Sequence, residues 1–197
     1  VTTPNAQVDW TPKARMILDA ASELFYDRGI HAVGVDTIAT HAGVTKRTLY
    51  DRFGSKEQLV VEYLRARNDR WKAYLQERLD AAGTSPSARL GALFDATRDW
   101  SAERGHKGCA MINAHAEISD PSHPAYEIIV GQKKELLELF ASIAGDAGAA
   151  SPQDLAQLLL ILHEGAMVSA GMGVAPAAFD IARGTALDLL ATELTKS

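Results

Sequence analysis

Cysteine is almost missing from this chain: Cys109 stands alone among 197 residues. That excludes a disulfide framework. A single thiol fits a reducing compartment, and a cytoplasmic location is expected. Metal-ligand spacing is missing too. His106, Cys109, His115 and His123 cluster in sequence without any recognised zinc pattern, so no metal and no cofactor are expected. Residues 1–8 carry neither a basic nor an apolar leader region, and no secretion signal is expected. The longest apolar stretch, 155–174, is broken by Gln157, His163 and Glu164. It reads as a buried helix and not as a membrane span. The signatures G-x-S-x-G, P-loop, dinucleotide fingerprint and H-E-x-x-H are all absent, so no enzyme is expected. Disorder is excluded by the 47% of hydrophobic residues, enough for a core.

What is present is helical periodicity. No segment alternates with a strand period. Thr11-Pro12 opens a first helix striped by Ala14, Ile17, Leu18, Ala21, Leu24 and Phe25, with Gly29 as a left-handed cap. Val35 to Ala42 marks a second helix, stopped by Gly43; Thr45 caps a third with Leu49 and Phe53 inward. Ser55-Lys56-Glu57-Gln58 reads as a capping box opening a long helix to about Ala82, roughly 42 Å at ~1.5 Å per residue. Five more helices follow. They start near Ser85-Pro86, at Cys109, near Ser122, at Ser151-Pro152 and after Pro176, the last carrying Phe179, Ile181, Ala186, Leu187, Leu190 and Leu194. The fold class expected is all-α, with nine helices.

Charge is unevenly placed. Residues 1–72 hold 11 Lys and Arg against 9 Asp and Glu; residues 73–197 hold 9 against 16. An acidic protein with a slightly basic N-terminal third can meet phosphate with that third alone. The segment Val35 to Gly54, VDTIATHAGVTKRTLYDRFG, gives this a mechanism. Ala39 is small where two helices cross. Gly43 sits where a left-handed turn residue is needed, and Ile38, Val44 and Leu49 supply the apolar wedge. These are the requirements of a helix-turn-helix, whose second helix enters the major groove by its N-terminus. Lys46, Arg47 and Thr48 occupy that first turn and can reach base edges. Tyr50, Lys56 and Thr37 are placed for phosphate, and Thr45 caps the helix. Asp51 is the odd residue, expected to accept from cytosine or to pair with Arg52. Residues 1–12 hold no Lys or Arg, so no minor-groove arm is expected.

The text ILDAASELFYDRGIHAVGVDTIATHAGVTKRTLYDRFGSKEQL resembles the DNA-binding domain of TetR/AcrR-type transcriptional regulators. Phe25, Gly29, Ile38-Ala39, Ala42-Gly43-Val44, Leu49-Tyr50, Phe53 and Lys56 to Leu59 carry the likeness. Two positions depart from it: Arg47 replaces a small residue, and Asp51-Arg52 replaces an aromatic-His pair. The resemblance implies a helix-turn-helix domain at 10–56 and a helical effector-binding and dimerisation domain at 57–197. It also implies a homodimer on an inverted-repeat operator in double-stranded DNA, most often a repressor released by a small molecule. Residues 108–124 resemble a C-terminal subtype of actinobacterial-type members.

Independent residues agree with a dimer. The helix from Ser151 to Gly173 is apolar nearly all round, so it must be buried on more than one side. Gly165, Ser169 and Gly173 form a smooth strip for close helix approach, within the subunit or across a two-fold axis. Phe179, Ala186 and Leu190 are assigned to the same interface. Candidates for an effector pocket are Trp71, Tyr74, Phe94, Trp100 and Met111, with His115, Tyr126, His163 and Met167. All lie on stripes that are by default core; His115 and His163 are singled out as polar groups on apolar faces. Cys109 is read as an inert buried thiol or a redox sensor. Two other functions stay open: a helical dimer that binds a protein partner and not DNA, and, less favoured, an all-α enzyme.

Overall fold

The computed structural model describes residues 11–104 and 107–194, the side chain of Leu194 excepted. The N-terminal arm and His106 lie outside them. Every regular element among the described residues is a helix: α1 (Pro12–Arg28), α2 (Val35–His41), α3 (Lys46–Phe53), α4 (Lys56–Ala81), α5 (Pro86–Arg104), α6 (Ala110–Glu117), α7 (Tyr126–Asp146), α8 (Pro152–Gly171) and α9 (Ala178–Leu194). None is long and apolar enough to cross a membrane. The chain divides into two compact units, the boundary falling within α4 between Tyr63 and Leu64.

In the first unit, Thr11 accepts from the Ala14 N–H at 3.4 Å, and Pro12 fills the first helical position. Its core joins Ile17, Ala21, Leu24 and Phe25 of α1 to Ile38, Leu49, Phe53, Leu59 and Tyr63, all buried. The Phe25 and Tyr63 rings meet at 5.6 Å. Gly29 departs from expectation. Its φ is positive at 89°, but ψ of 153° takes it out of the left-handed helical region into one only glycine enters readily. The capping box forms by half. The Gln58 N–H donates to Ser55 Oγ at 3.0 Å, but the Gln58 side chain turns forward to Glu62 at 2.8 Å. The Ser55 N–H donates to the Phe53 carbonyl instead.

In the second unit, α7 packs on α8, α8 on α9, and α5 on both α7 and α9. Leu90, Leu93, Phe94, Phe140, Ile143 and Leu159 are buried at its centre. Helix α7 starts four residues later than its periodicity predicts. Asp120 accepts from both the N–H and the hydroxyl of Ser122, at 2.9 and 2.8 Å, and His123 Nδ1 accepts from the Ala125 N–H. Such side-chain bonds offer the backbone an alternative to helix, and Pro124 disfavours helical geometry at His123. The same two bonds from Ser122 hold the Asp120 carboxyl below its ordinary pKa. Ile181, expected inward, is 65% exposed, because α9 turns Phe179, Ala182, Ala186 and Leu190 to the core.

Candidate nucleic-acid interface and interior cavity

Three hydrogen bonds make the turn between α2 and α3. The Gly43 N–H donates to the Thr40 carbonyl at 3.1 Å and the Val44 N–H to the Ala39 carbonyl at 2.9 Å. With Gly43 at φ 64°, this is a Schellman stop. The third bond restarts the chain: Thr45 Oγ1 accepts from the Thr48 N–H at 3.1 Å. An added Cβ at Gly43 would meet nothing within 4 Å, so the glycine answers to the turn's handedness and not to crowding. His41 reaches back to Glu23 of α1 at 3.2 Å.

The turn leaves the first turn of α3 outward. Lys46 and Arg47 are exposed, as is Tyr50 one turn on, at 41%. Thr37 is exposed on α2. Thr48 is half-buried, its hydroxyl 2.9 Å from that of Thr45. Lys56 is also half-buried, with its ammonium 5.9 Å from the centre of the Phe25 ring. All seven expected contact residues therefore lie in the first unit, but Thr45 and Thr48 spend their side chains on the cap. Lys46 is tied to Asp36 at 3.0 Å, and this hydrogen bond and charge raise its pKa. Asp51 approaches Arg47 at 3.9 Å, where Arg52 was expected.

In the second unit a small cavity of about 50 Å³ lies among α4, α5, α6, α7 and α8. Of the nine expected pocket residues, Trp71, Trp100, Met111, His163 and Met167 line it. Tyr74 packs on the rings of Trp71 and Trp100, at 6.3 and 5.3 Å, without lining the cavity. Phe94 is core, against Phe140 and His163. His115 is exposed beside Tyr126, their ring centres 6.1 Å apart, and neither lines the cavity. The sequence reading missed Asn68, Thr97, Gln132 and Lys133, which do. Periodicity held the signal: Asn68 continues the stripe Val60, Leu64, Trp71, Leu75, and Gln132 sits between Ile129 and Leu136 on the buried face of α7.

A polar chain runs along one wall. Lys133 donates to Glu164 at 2.8 Å and to Cys109 Sγ at 3.3 Å. Burial works against the Lys133 charge, yet the Cys109 sulfur and Glu164 carboxylate around it raise its pKa. Burial alone would raise the Glu164 pKa; the His163 hydrogen bond and the Lys133 charge outweigh it and hold it at about 2. Burial lowers the His163 pKa against the pull of Glu164. His163 Nδ1 lies 3.1 Å from Glu164 and Nε2 lies 2.9 Å from the Thr97 hydroxyl. The Thr97 hydroxyl also lies 2.9 Å from the Leu93 carbonyl. It has one proton, so a neutral ring with its own proton on Nδ1 is satisfied at Nε2 only when that hydroxyl turns from Leu93 to His163.

On α8 and at its C-cap, Leu158, Ile161, Val168 and Met172 are between 44% and 71% exposed. With Gly165 they recur at three- and four-residue steps, forming one apolar face. Gly165 is exposed, with nothing within 4 Å of an added Cβ; Ser169 is half-buried, and Gly173 lies just past the helix end at φ 70°. The helix expected to be buried on several sides thus leaves one side open in the single chain. Phe179, Ala186 and Leu190, assigned by sequence to an interface, are buried in the chain's own core.

A three-helix domain with a Schellman turn and an outward basic helix, followed by a larger helical domain, defines a helix-turn-helix protein with its own interior. Residues 17–63 match the family of bacterial regulatory proteins described as the tetR family. A putative TetR transcriptional regulator from Streptomyces avermitilis has a solved structure 30% identical to this chain, covering 93% of it and 98% of its own length at a TM-score of 0.79. A TetR-family transcriptional regulator from Streptomyces coelicolor superposes at 0.83 with 26% identity, over 94% and 90% of the two chains. The chain belongs to the TetR family. It is also similar to two proteins of Mycolicibacterium smegmatis: the HTH-type transcriptional activator FasR, 33% identical over 67% of this chain, and the HTH-type transcriptional repressor KstR2, 34% identical over 64%. The matched stretch spans 59% and 60% of those relatives' own lengths.

Proposed function

We propose that this chain is a sequence-specific, dimeric DNA-binding transcriptional regulator, acting as a repressor that a small molecule releases. The observation that carries this reading is the outward, basic first turn of α3 on a helix-turn-helix of TetR type. Lys46 and Arg47 read base edges, Arg47 with the bidentate geometry suited to guanine. Tyr50, Lys56 and Thr37 hold phosphates and set the register. Residues 10–56 act as the DNA-binding part and residues 57–197 as the effector-binding and dimerising part.

The dimer is supported by the open apolar face of α8. A row of four large exposed apolar residues is unusual on a lone subunit, and Gly165 and Ser169 beside it admit a close partner helix. Two copies would offer two α3 helices to successive major grooves, ~34–36 Å apart, on an inverted repeat. The relatives act in both directions, as activator and as repressor. Release requires a ligand that prefers a dimer with wrongly spaced recognition helices; tight binding without that preference shifts nothing.

Selection of random duplex DNA by the purified protein at about 150 mM salt tests the reading, salt being fixed because phosphate binding depends on it steeply. Enrichment of an inverted repeat is the expected result. A folded dimer that enriches no sequence contradicts it.

A further inference from the structure

Two amide side chains that line the cavity have oxygens with no hydrogen-bond partner. Asn68 is buried to 8% exposure, and its Oδ1 and Gln132 Oε1 are both buried and unsatisfied. Leaving such an acceptor unmet carries the full desolvation penalty of the group, and a native protein keeps such a pair for a reason. Both residues, with Trp71, also line a second cavity of about 240 Å³, whose wall sets Leu75, Leu79, Leu136 and Leu139 beside Lys72, Gln76, Arg89 and Glu135. The amide pair is thus a polar band shared by the two cavities.

Charge narrows what fits the band. The cavity wall carries the cations Arg67 and Lys133, and Lys133 is already held by Glu164 and Cys109. A cationic amine would meet those two positive groups. A carboxylate would bring lone pairs to two acceptors that already lack a proton, near a Glu164 whose other oxygen, Oε2, is also buried and unsatisfied. A neutral donor meets neither objection.

We infer that the effector is a neutral apolar alcohol. Its hydroxyl donates at the Asn68–Gln132 band, and its ring or alkyl body lies against Leu75, Leu79, Leu136 and Leu139 in the larger cavity. This deepens the effector part of the proposed function, and its test is independent of DNA.

The test uses matched pairs of cyclic and aromatic alcohols and their methyl ethers, such as 2-naphthalenemethanol and 2-(methoxymethyl)naphthalene. Binding to the full chain is followed by tryptophan fluorescence and thermal shift. Alcohols are expected to bind at least tenfold more tightly than their ethers. In Asn68→Leu and in Gln132→Leu that preference falls to within about twofold. Equal binding of alcohols and ethers, a preference unchanged in both variants, or no binder in the series overturns the inference. The wild-type comparison decides even if one variant fails to fold. A clear alcohol preference with no enriched DNA sequence would uphold this inference and sink the regulatory reading.

Discussion

Lys46, in the first turn of α3, donates a 3.0 Å hydrogen bond to Asp36 of α2. The proposed base-reading lysine is therefore held by a carboxylate of its own domain. Both side chains are exposed, at 49% and 75%, so the pair adds little to stability. Its effect lies in binding: Lys46 must leave Asp36 to reach DNA, and Asp36 repels phosphate. Asp36→Asn is expected to raise affinity for DNA of any sequence several-fold at low salt, the gain shrinking as salt rises. The melting temperature should stay put. Titrations at two salt concentrations check this; an unchanged affinity means that the pair does not compete with DNA.

Gly43 separates handedness from crowding. Because its φ is 64° and a Cβ there meets nothing, Gly43→Ala is expected to cost about 1–2 kcal/mol through backbone strain alone. Gly43→Asn should recover part of that, since asparagine tolerates the left-handed region. Gly171 poses the opposite case: an added Cβ would sit 3.0 Å from the Gly108 backbone, so Gly171→Asn gains nothing over Gly171→Ala. Thermal melts of the four variants distinguish the two cases.

The open face of α8 predicts a separation of assembly from folding. Gly165 has free space around it in one chain, so Gly165→Arg should leave helicity intact and lower the dimer's stability at least tenfold. Sedimentation with circular dichroism tests this. A variant that stays dimeric at micromolar concentration places the interface elsewhere.

The polar chain at the cavity gives stability a pH dependence of known sign. The His163 pKa is lowered by burial, so its folded form favours the neutral ring. Its contribution is full above the unfolded value near 6.5 and is lost as pH falls below that value. Glu164 is depressed from 4.5 to about 2. Its contribution is full above 4.5 and lost as pH falls towards 2. Stability should thus step down twice on acidification, and His163→Gln should remove the first step. A melting temperature flat between pH 7.5 and 5.5 in the wild type contradicts the assignment.

Much of this was legible in the sequence because local chemistry and tertiary demand agree there. Thr11-Pro12, Gly43 and Thr45 carry their roles in their own backbone preferences, and Leu49 and Phe53 in helical spacing. The start of α7 was not legible by period: Asp120 and Ser122 bond each other and defer the helix. Ile181 was misread because an apolar residue one step off the stripe looks like part of it. At the cavity, aromatic character drew attention to Phe94 and Tyr126, and polarity on an apolar face to His115, whereas Asn68 and Gln132, polar residues on buried stripes, line it.

The central claim, that the first turn of α3 reads bases, is tested most directly by measuring wild-type and Arg47→Ala affinities across single-base variants of the selected operator at one salt concentration. Loss of discrimination at one base pair in each half-site, at a cost of ~1–3 kcal/mol, is predicted, whereas Lys56→Ala should weaken all variants alike. A uniform loss for Arg47→Ala, indistinguishable from that of Lys56→Ala, would contradict it.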